Sequence, residues 1–239
     1  LERELAKQSG IGWIGKNCTL INKRYGSYTV LGNILLDREV EPDNALALDN
    51  CRGCNLCLEK CPTGALAEPY TLNPYRCISY LNQAAGIVPR DLRSAFGNRL
   101  YGCDTCLEAC PQNEGIQHSP YREAAFHLFP ANPLLIPLLS ITQREFDQTI
   151  ALTAAGWRGK TTLQRNAIIA LGNSRSEKAL KPLARLLEND SRPIIRLHGA
   201  WALGQIGGSR ALLYLEKTWQ KDKEPAVRME AEWALENRM

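Results

Sequence analysis

Apolar positions divide the chain into stretches of different texture. From 151 to 239 they recur at helical spacing, and similar words return: NAIIALGN at 166–173, HGAWALGQ at 198–205 and EAEWALEN at 230–237, 32 residues apart. Pro193-x-x-Arg196 and Pro225-x-x-Arg228 repeat at the same period. A helical repeat of this length predicts an α-solenoid, because one helix pair does not bury its own apolar face and must stack on the next. Ala170, Ala202 and Ala234 then fall where helices approach closely, and Ile169, Trp201 and Trp233 fill the layer between repeats. The N-terminal part reads differently. Residues 1–9 have a helical start, and SYTVLGNILL at 27–36 is apolar and β-branched enough for a buried strand. Between 49 and 115 turns break the pattern, leaving two helical segments near 75–85 and 89–98. A Pro-rich connector, 116–150, contains FPANPLLIPLLSITQREF.

Composition narrows the class. The 239 residues are 44% hydrophobic and 23% charged, as in an ordinary soluble globular protein. No apolar run approaches the roughly 20 residues of a membrane span. The opening LERELAKQSG carries charge where a signal peptide needs an apolar stretch, so a cytoplasmic location is expected. The absent initiator Met leads us to expect part of a longer protein, whether naturally split or truncated. Charge is uneven: 151–239 hold 15 Lys and Arg against 9 Asp and Glu, a balance of +6, leaving −2 for 1–150. A basic solenoid beside a near-neutral remainder suggests an anionic partner on the former and chemistry in the latter. Gly10, Gly12 and Gly15 in GIGWIGKN mimic a dinucleotide loop, but no strand precedes them and no βαβ unit surrounds them. A tight turn packed against a flat surface fits better.

Nine cysteines without a secretory signal point to metal ligation in a reducing compartment. CRGCNLCLEKCP supplies Cys51, Cys54, Cys57 and Cys61, with Pro62 after the last. This is the bacterial ferredoxin spacing, in which three thiolates hold one [4Fe–4S] cube and the fourth ligates its neighbour. Zinc sites instead use thiolate pairs about 15–20 residues apart. The second run, GCDTCLEACP, offers three: Cys103, Cys106 and Cys110. Crossing the proline-adjacent cysteines gives cluster 1 Cys51, Cys54, Cys57 and Cys110. Cluster 2 takes Cys61, Cys103 and Cys106, and Cys77 in YRCISYL, expected on a helix, fills its vacancy. Cys18 is left over and reads as a small buried hydrophobe. His118, His127 and His198 are scattered and read as surface or packing residues.

Taken in order, GIGWIGKNC, YGSY, CRGCNLCLEKCPTGAL, RCISYL, GNRLYGCDTCLEACPQN and WRGKTTLQRNA resemble the epoxyqueuosine reductase family. The resemblance implies two [4Fe–4S] clusters and a cobalamin, and reduction of the epoxide of epoxyqueuosine in tRNA to queuosine, the last step in making that base. It implies an α+β, mainly α fold: the C-terminal part of a cobalamin-binding domain over 1–48, a ferredoxin-like double-cluster domain over 49–115, the connector, and HEAT-like repeats over 151–239. Cobalamin contacts are expected at Leu20, Leu31 and Asn82. For tRNA, Gly156, Arg158, Gly159 and Lys160 form an expected flexible basic loop, joined by Gln143, Arg144, Arg165 and Arg3. The family's proton-donor aspartate precedes the segment matching LERELA, so no catalytic residue is assigned here and this piece alone is expected to turn over little. A monomer served by an external electron donor is expected. The alternatives are an iron–sulfur carrier whose solenoid docks a protein, and a cobalamin-dependent reductase of a small organic molecule; the basic repeat disfavours the latter.

Overall fold

The computed structural model describes residues 1–41, 49–116 and 129–237. Its internal contacts separate two compact units, residues 1–77 with 103–125 and residues 78–102 with 126–239. In chain order the helices and strands are α1 (Glu2–Gln8), β1 (Trp13–Ile14), β2 (Leu20–Ile21), α2 (Leu56–Glu59), α3 (Ile78–Leu81), α4 (Arg90–Arg93) and α5 (Thr105–Glu108). They continue as α6 (Leu135–Leu139), α7 (Gln143–Gln148), α8 (Lys160–Ser174), α9 (Leu180–Asn189), α10 (Pro193–Ile206), α11 (Gly208–Lys221) and α12 (Pro225–Glu236). Among the described residues the fold is mainly helical, as expected, with one small hairpin at a place where the sequence led us to expect only a tight turn. The units cut across the expected boundaries, since 78–102 packs with the solenoid rather than with the cysteine runs on either side of it.

In the first unit, β1 and β2 pair antiparallel with Trp13 opposite Ile21. A Cβ on Gly12 would clash with the Ile21 carbonyl oxygen, and one on Gly15 would meet the Ile21 side chain. Close packing against β2 therefore explains two of the glycines that mimic a dinucleotide loop. At the hairpin tip Cys18 takes a positive φ of 61°. It is half-buried, and its carbonyl accepts from Arg3. Residues 28–41 form no strand: Val30, Ile34 and Leu35 are exposed, because among the described residues no strand runs beside them. The helix expected near 75–85 breaks in two. Asn73 caps a 3₁₀ turn at Pro74–Arg76 by accepting from the Tyr75 N–H, and Cys77 then takes extended backbone before α3 begins.

In the second unit the repeat is visible atom by atom. Asp190 Oδ1 accepts from the Arg192 N–H and Asp222 Oδ1 from the Glu224 N–H, so each forms the same turn before a helix that starts with proline. Six residues after each aspartate an arginine reaches back to its carbonyl, Arg196 to Asp190 at 2.8 Å and Arg228 to Asp222 at 2.7 Å. Ala170, Ala202 and Ala234 are buried at the α8, α10 and α12 crossings. A Cβ on Gly172 would meet Trp201 and Ala202, and one on Gly204 would meet Ala234. Gly172→Ala should therefore cost about 1–3 kcal/mol by overpacking, read as a lower denaturant midpoint; an unchanged midpoint would contradict this contact. Ile169 and Trp201 are buried as expected, whereas Trp233 is half-covered and lies under Arg90, whose guanidinium is 4.3 Å from its ring.

Segment 78–102 is fastened to these helices by buried polar groups. Arg90 and Arg93 both bind Glu230, with Arg93 Nη1 at 2.8 Å, and Arg93 and Glu230 are almost fully buried. Asn173 donates to the carbonyls of Arg93 and Gly97. His198 is buried; its Nε2 accepts from the Val88 N–H, so Nδ1 carries the proton and donates to the Ile194 carbonyl. His118 and His127 lie outside the described residues. Burial, with Arg93 nearby, pushes His198 from 6.5 down to about 3. The unfolded chain thus takes up a proton near pH 6.5 that the folded chain refuses until about pH 3, and stability is complete above that window and lost as pH falls through it. Between pH 7 and 5 this amounts to about 2 kcal/mol. Tryptophan-monitored denaturation should show that loss, and His198→Asn should flatten it; an equal slope in the variant would rule out His198 as its source.

Candidate functional site

The hairpin and the first cysteine run enclose a cavity of about 140 Å³. Its lining includes Cys51, Cys54, Cys57 and Cys110, the four thiols that the crossing rule groups together, with Lys16 and Asn17 from the hairpin. Short helices place them. α2 carries Cys57, and the N–H of Cys54 closes a turn on the Cys51 carbonyl. Cys110 follows α5 in extended backbone, with Pro111 starting a 3₁₀ turn that directs the chain away. Asn113 ties that turn back to the N-terminal segment, accepting from the Ser27 N–H at 2.8 Å and donating to the Leu107 carbonyl.

Cys106 senses the other group. Burial first, and then the neighbouring Cys103, Cys77, Cys57 and Cys61, push its thiol up to about 12. Cys77, Cys103 and Cys61 are its expected partners in cluster 2, and Cys57 belongs to the adjacent set. Burial and these neighbours keep the Cys106 thiol protonated, so iron uptake at Cys106 must displace a proton. Cys61 is shifted the other way: burial raises its pKa, but N–H groups of Leu66, Thr63 and Ala65 and the Thr63 hydroxyl bring it below the ordinary value. Thr105 stands beside the Cys103 sulfur at 3.5 Å, as Thr63 stands beside that of Cys61 at 3.8 Å. Backbone N–H groups and hydroxyls beside sulfur are among the features that tune an iron–sulfur centre. Among the described residues no three Cys, His, Asp or Glu side chains converge on a point that would hold a single ion.

The lining suits a cube: four cysteines contribute to it, and so does Asn17, a residue with one unmatched donor. Asn17 is 5% exposed, and its Oδ1 accepts from both the N–H and the hydroxyl of Thr19, which fixes the amide so that Nδ2 is the free end. Nδ2 has no hydrogen-bond partner. Asn17 sits in GIGWIGKNC, a motif recognised in the sequence, yet nothing there singles it out; its signal is the orphaned N–H.

The other expected sites fare unevenly. Leu20 is buried within the hairpin, and Leu31 is half-exposed on the irregular segment. Asn82 belongs to the second unit and is 1% exposed, with its amide exchanging two hydrogen bonds with the backbone of Gly102. It is a structural clasp with no free polar atom for a corrin. Arg165 also departs from expectation. It is 1% exposed, and its guanidinium donates to the carbonyls of Leu81, Ala84 and Gly86, so it holds 78–102 in place rather than facing phosphate. Burial lowers its pKa to about 10.

Arg158, Gly159 and Lys160 do gather at the start of α8, where Gly159 is the N-cap with a φ of 82°. The expected flexible loop is pinned: Gly156 is packed against the Ile150 carbonyl, Trp157 Nε1 donates to Gln83, and Arg158 stacks 3.7 Å from the Trp157 ring. Trp157, passed over in the sequence, is 59% exposed and held rigid. Gln143 and Arg144 are exposed on α7, with Gln143 donating to Asp147. Arg3 is exposed on α1 in the first unit.

Residues 50–113 match the family described as a 4Fe-4S double cluster binding domain, and residues 158–236 match HEAT repeats. Among curated relatives, an epoxyqueuosine reductase of Bacillus subtilis is 44% identical over 209 residues, covering 84% of this chain and 52% of the relative. An uncharacterised protein of Geobacillus stearothermophilus is 44% identical over 178 residues, covering 74% of this chain and 82% of that one. A crystal structure of epoxyqueuosine reductase with an epoxyqueuosine-modified tRNA-Tyr stem loop superposes with a TM-score of 0.92 at 42% identity, over 99% of this chain and 63% of that one. By sequence and by fold this chain is a homologue of the epoxyqueuosine reductases, spanning about half the length of the curated epoxyqueuosine reductases it matches.

Proposed function

We propose that this chain supplies the electron relay and tRNA-holding part of a reductase that converts epoxyqueuosine in tRNA to queuosine. The cavity lined by Cys51, Cys54, Cys57 and Cys110 carries the reading, because it brings together thiols from two runs more than 50 residues apart. They are the ligands of one cube, and Cys61, Cys77, Cys103 and Cys106 are those of the other. The reaction needs two electrons and two protons: the epoxide oxygen leaves as water and a carbon–carbon double bond forms. An external one-electron donor supplies the electrons, which this chain passes singly between its cubes. Cobalamin, implied by kinship, supplies the chemistry that opens the epoxide when it is bound.

The chain's own contribution at the second unit is tRNA positioning. Arg158 and Lys160 meet phosphates at the α8 N-terminus, where backbone N–H groups and the helix dipole favour anions. Arg158→Glu with Lys160→Glu should weaken stem–loop binding and reduce the log–log salt slope by about 1 per lost contact; an unchanged slope would remove this surface from the site. Membership of a cytoplasmic, monomeric enzyme is part of the same reading; among the described residues no helix is long and apolar enough to cross a membrane. The function is tested by substituting residues 1–239 for the matching half of the Bacillus subtilis relative. The chimera should remove the epoxide oxygen from modified tRNA, read by mass. A folded chimera with full iron and bound tRNA that leaves the oxygen in place would overturn the proposal.

A further inference from the structure

We infer that the hairpin tip, through Asn17 and Lys16, sets the reduction potential of the cube held by Cys51, Cys54, Cys57 and Cys110; this rests on the cluster reading above. The Asn17 amide is fixed by Thr19, so Nδ2 is its donor end; that donor is buried without a partner, on a residue that lines the thiol-lined cavity. A buried N–H left unpaired is costly, and a sulfur of the cube is the acceptor this cavity would provide. Lys16, the preceding residue, lines the same cavity, and its ammonium donates to the Cys54 carbonyl at 2.8 Å and to Asn55 Oδ1 at 2.9 Å. The short connection between two paired strands gives this tip its rigidity: the Gly15 N–H binds the Thr19 carbonyl and the Cys18 N–H binds that of Gly15.

When the cube accepts one electron, no bond breaks and its charge becomes one unit more negative. An N–H donor to sulfur and a nearby cation both stabilise that added charge, so both raise the potential. Asp49 opposes them from the other side of the run, where its carboxylate accepts from the Cys51 N–H at 2.8 Å.

The test is an anaerobic redox titration of the reconstituted full chain with dithionite and mediators, following each cube by electron paramagnetic resonance. Iron per chain, counted in every sample, reads the cluster assignment separately from the tuning. Asn17→Asp keeps the acceptor for Thr19 and replaces the donor with a negative oxygen. It should shift one cube's reduced-to-oxidised ratio toward oxidised by about tenfold or more, which is ~59 mV for a one-electron couple, and leave the other cube in place. Lys16→Met should shift the same cube in the same direction, and Lys16→Arg, which keeps the charge, should not. Should Asn17→Asp assemble poorly, Lys16→Met against Lys16→Arg decides the charge effect, and Asn17→Ala decides that of the donor. Full iron with both potentials unmoved in Asn17→Ala and Lys16→Met overturns the inference; a wild-type chain that takes up one cube or none overturns the cluster reading instead.

Discussion

Cys110→Ser is expected to remove one cube, leaving about four of the roughly eight iron atoms that two [4Fe–4S] clusters hold. The informative experiment pairs it with a second lesion. Cys51 shares its cavity, so Cys51→Ser with Cys110→Ser should lose no more iron than either change alone. Cys103 lies near Cys110 in sequence but is grouped by the crossing rule with Cys106 and Cys77, so on the proposed ligation Cys103→Ser with Cys110→Ser should lose both cubes. Ligation of each cube by its own run would give the reverse pattern. Iron and sulfide counted after anaerobic reconstitution read the result directly. Because electrons would have to cross both cubes, either single change should reduce epoxide removal in the chimera by well over tenfold.

Glu230→Ala should destabilise the second unit by about 3–5 kcal/mol, since it leaves Arg93 charged, buried and without its carboxylate. Burial already lowers the Arg93 pKa, and the interaction with Glu230 raises it in opposition, so the carboxylate is what makes the buried charge tolerable. Lys217→Ala is the control. Its partner Glu188 is also exposed, and such a pair contributes about 1 kcal/mol or less. Denaturant titration of both variants separates the two cases; equal midpoints would show that Arg93 finds another partner or water. Glu230 is also the site where Arg90 converges, so the loss should be accompanied by a change in the fluorescence of Trp233, which lies under Arg90.

The cysteine spacing and the 32-residue period were legible because both are local patterns: a ligand offset or a helical repeat survives without knowledge of what packs where. Arg165 and Asn82 were not. A basic residue beside a basic loop reads as a phosphate contact until the carbonyls of Leu81, Ala84 and Gly86 are seen around it, and those lie some 80 residues away in sequence. The apolar run at 27–36 misled in the opposite way. Strand propensity reports a preference for a pleated surface, and among the described residues nothing pairs with it. Asn17 shows a third limit: the feature that matters is a missing hydrogen bond, which no residue pattern records.

The stretch between the cysteine runs has a consequence for biosynthesis. Cys77 and Cys103 flank it directly, and it packs with α8, α10 and α12, which are translated later. All eight prospective ligands therefore leave the ribosome before the helices that hold the intervening loop have been made. Iron delivered during translation would meet a chain whose two halves of one metal site are joined by an unanchored tether, so productive maturation should follow completion of the last repeats rather than emergence of the final thiol.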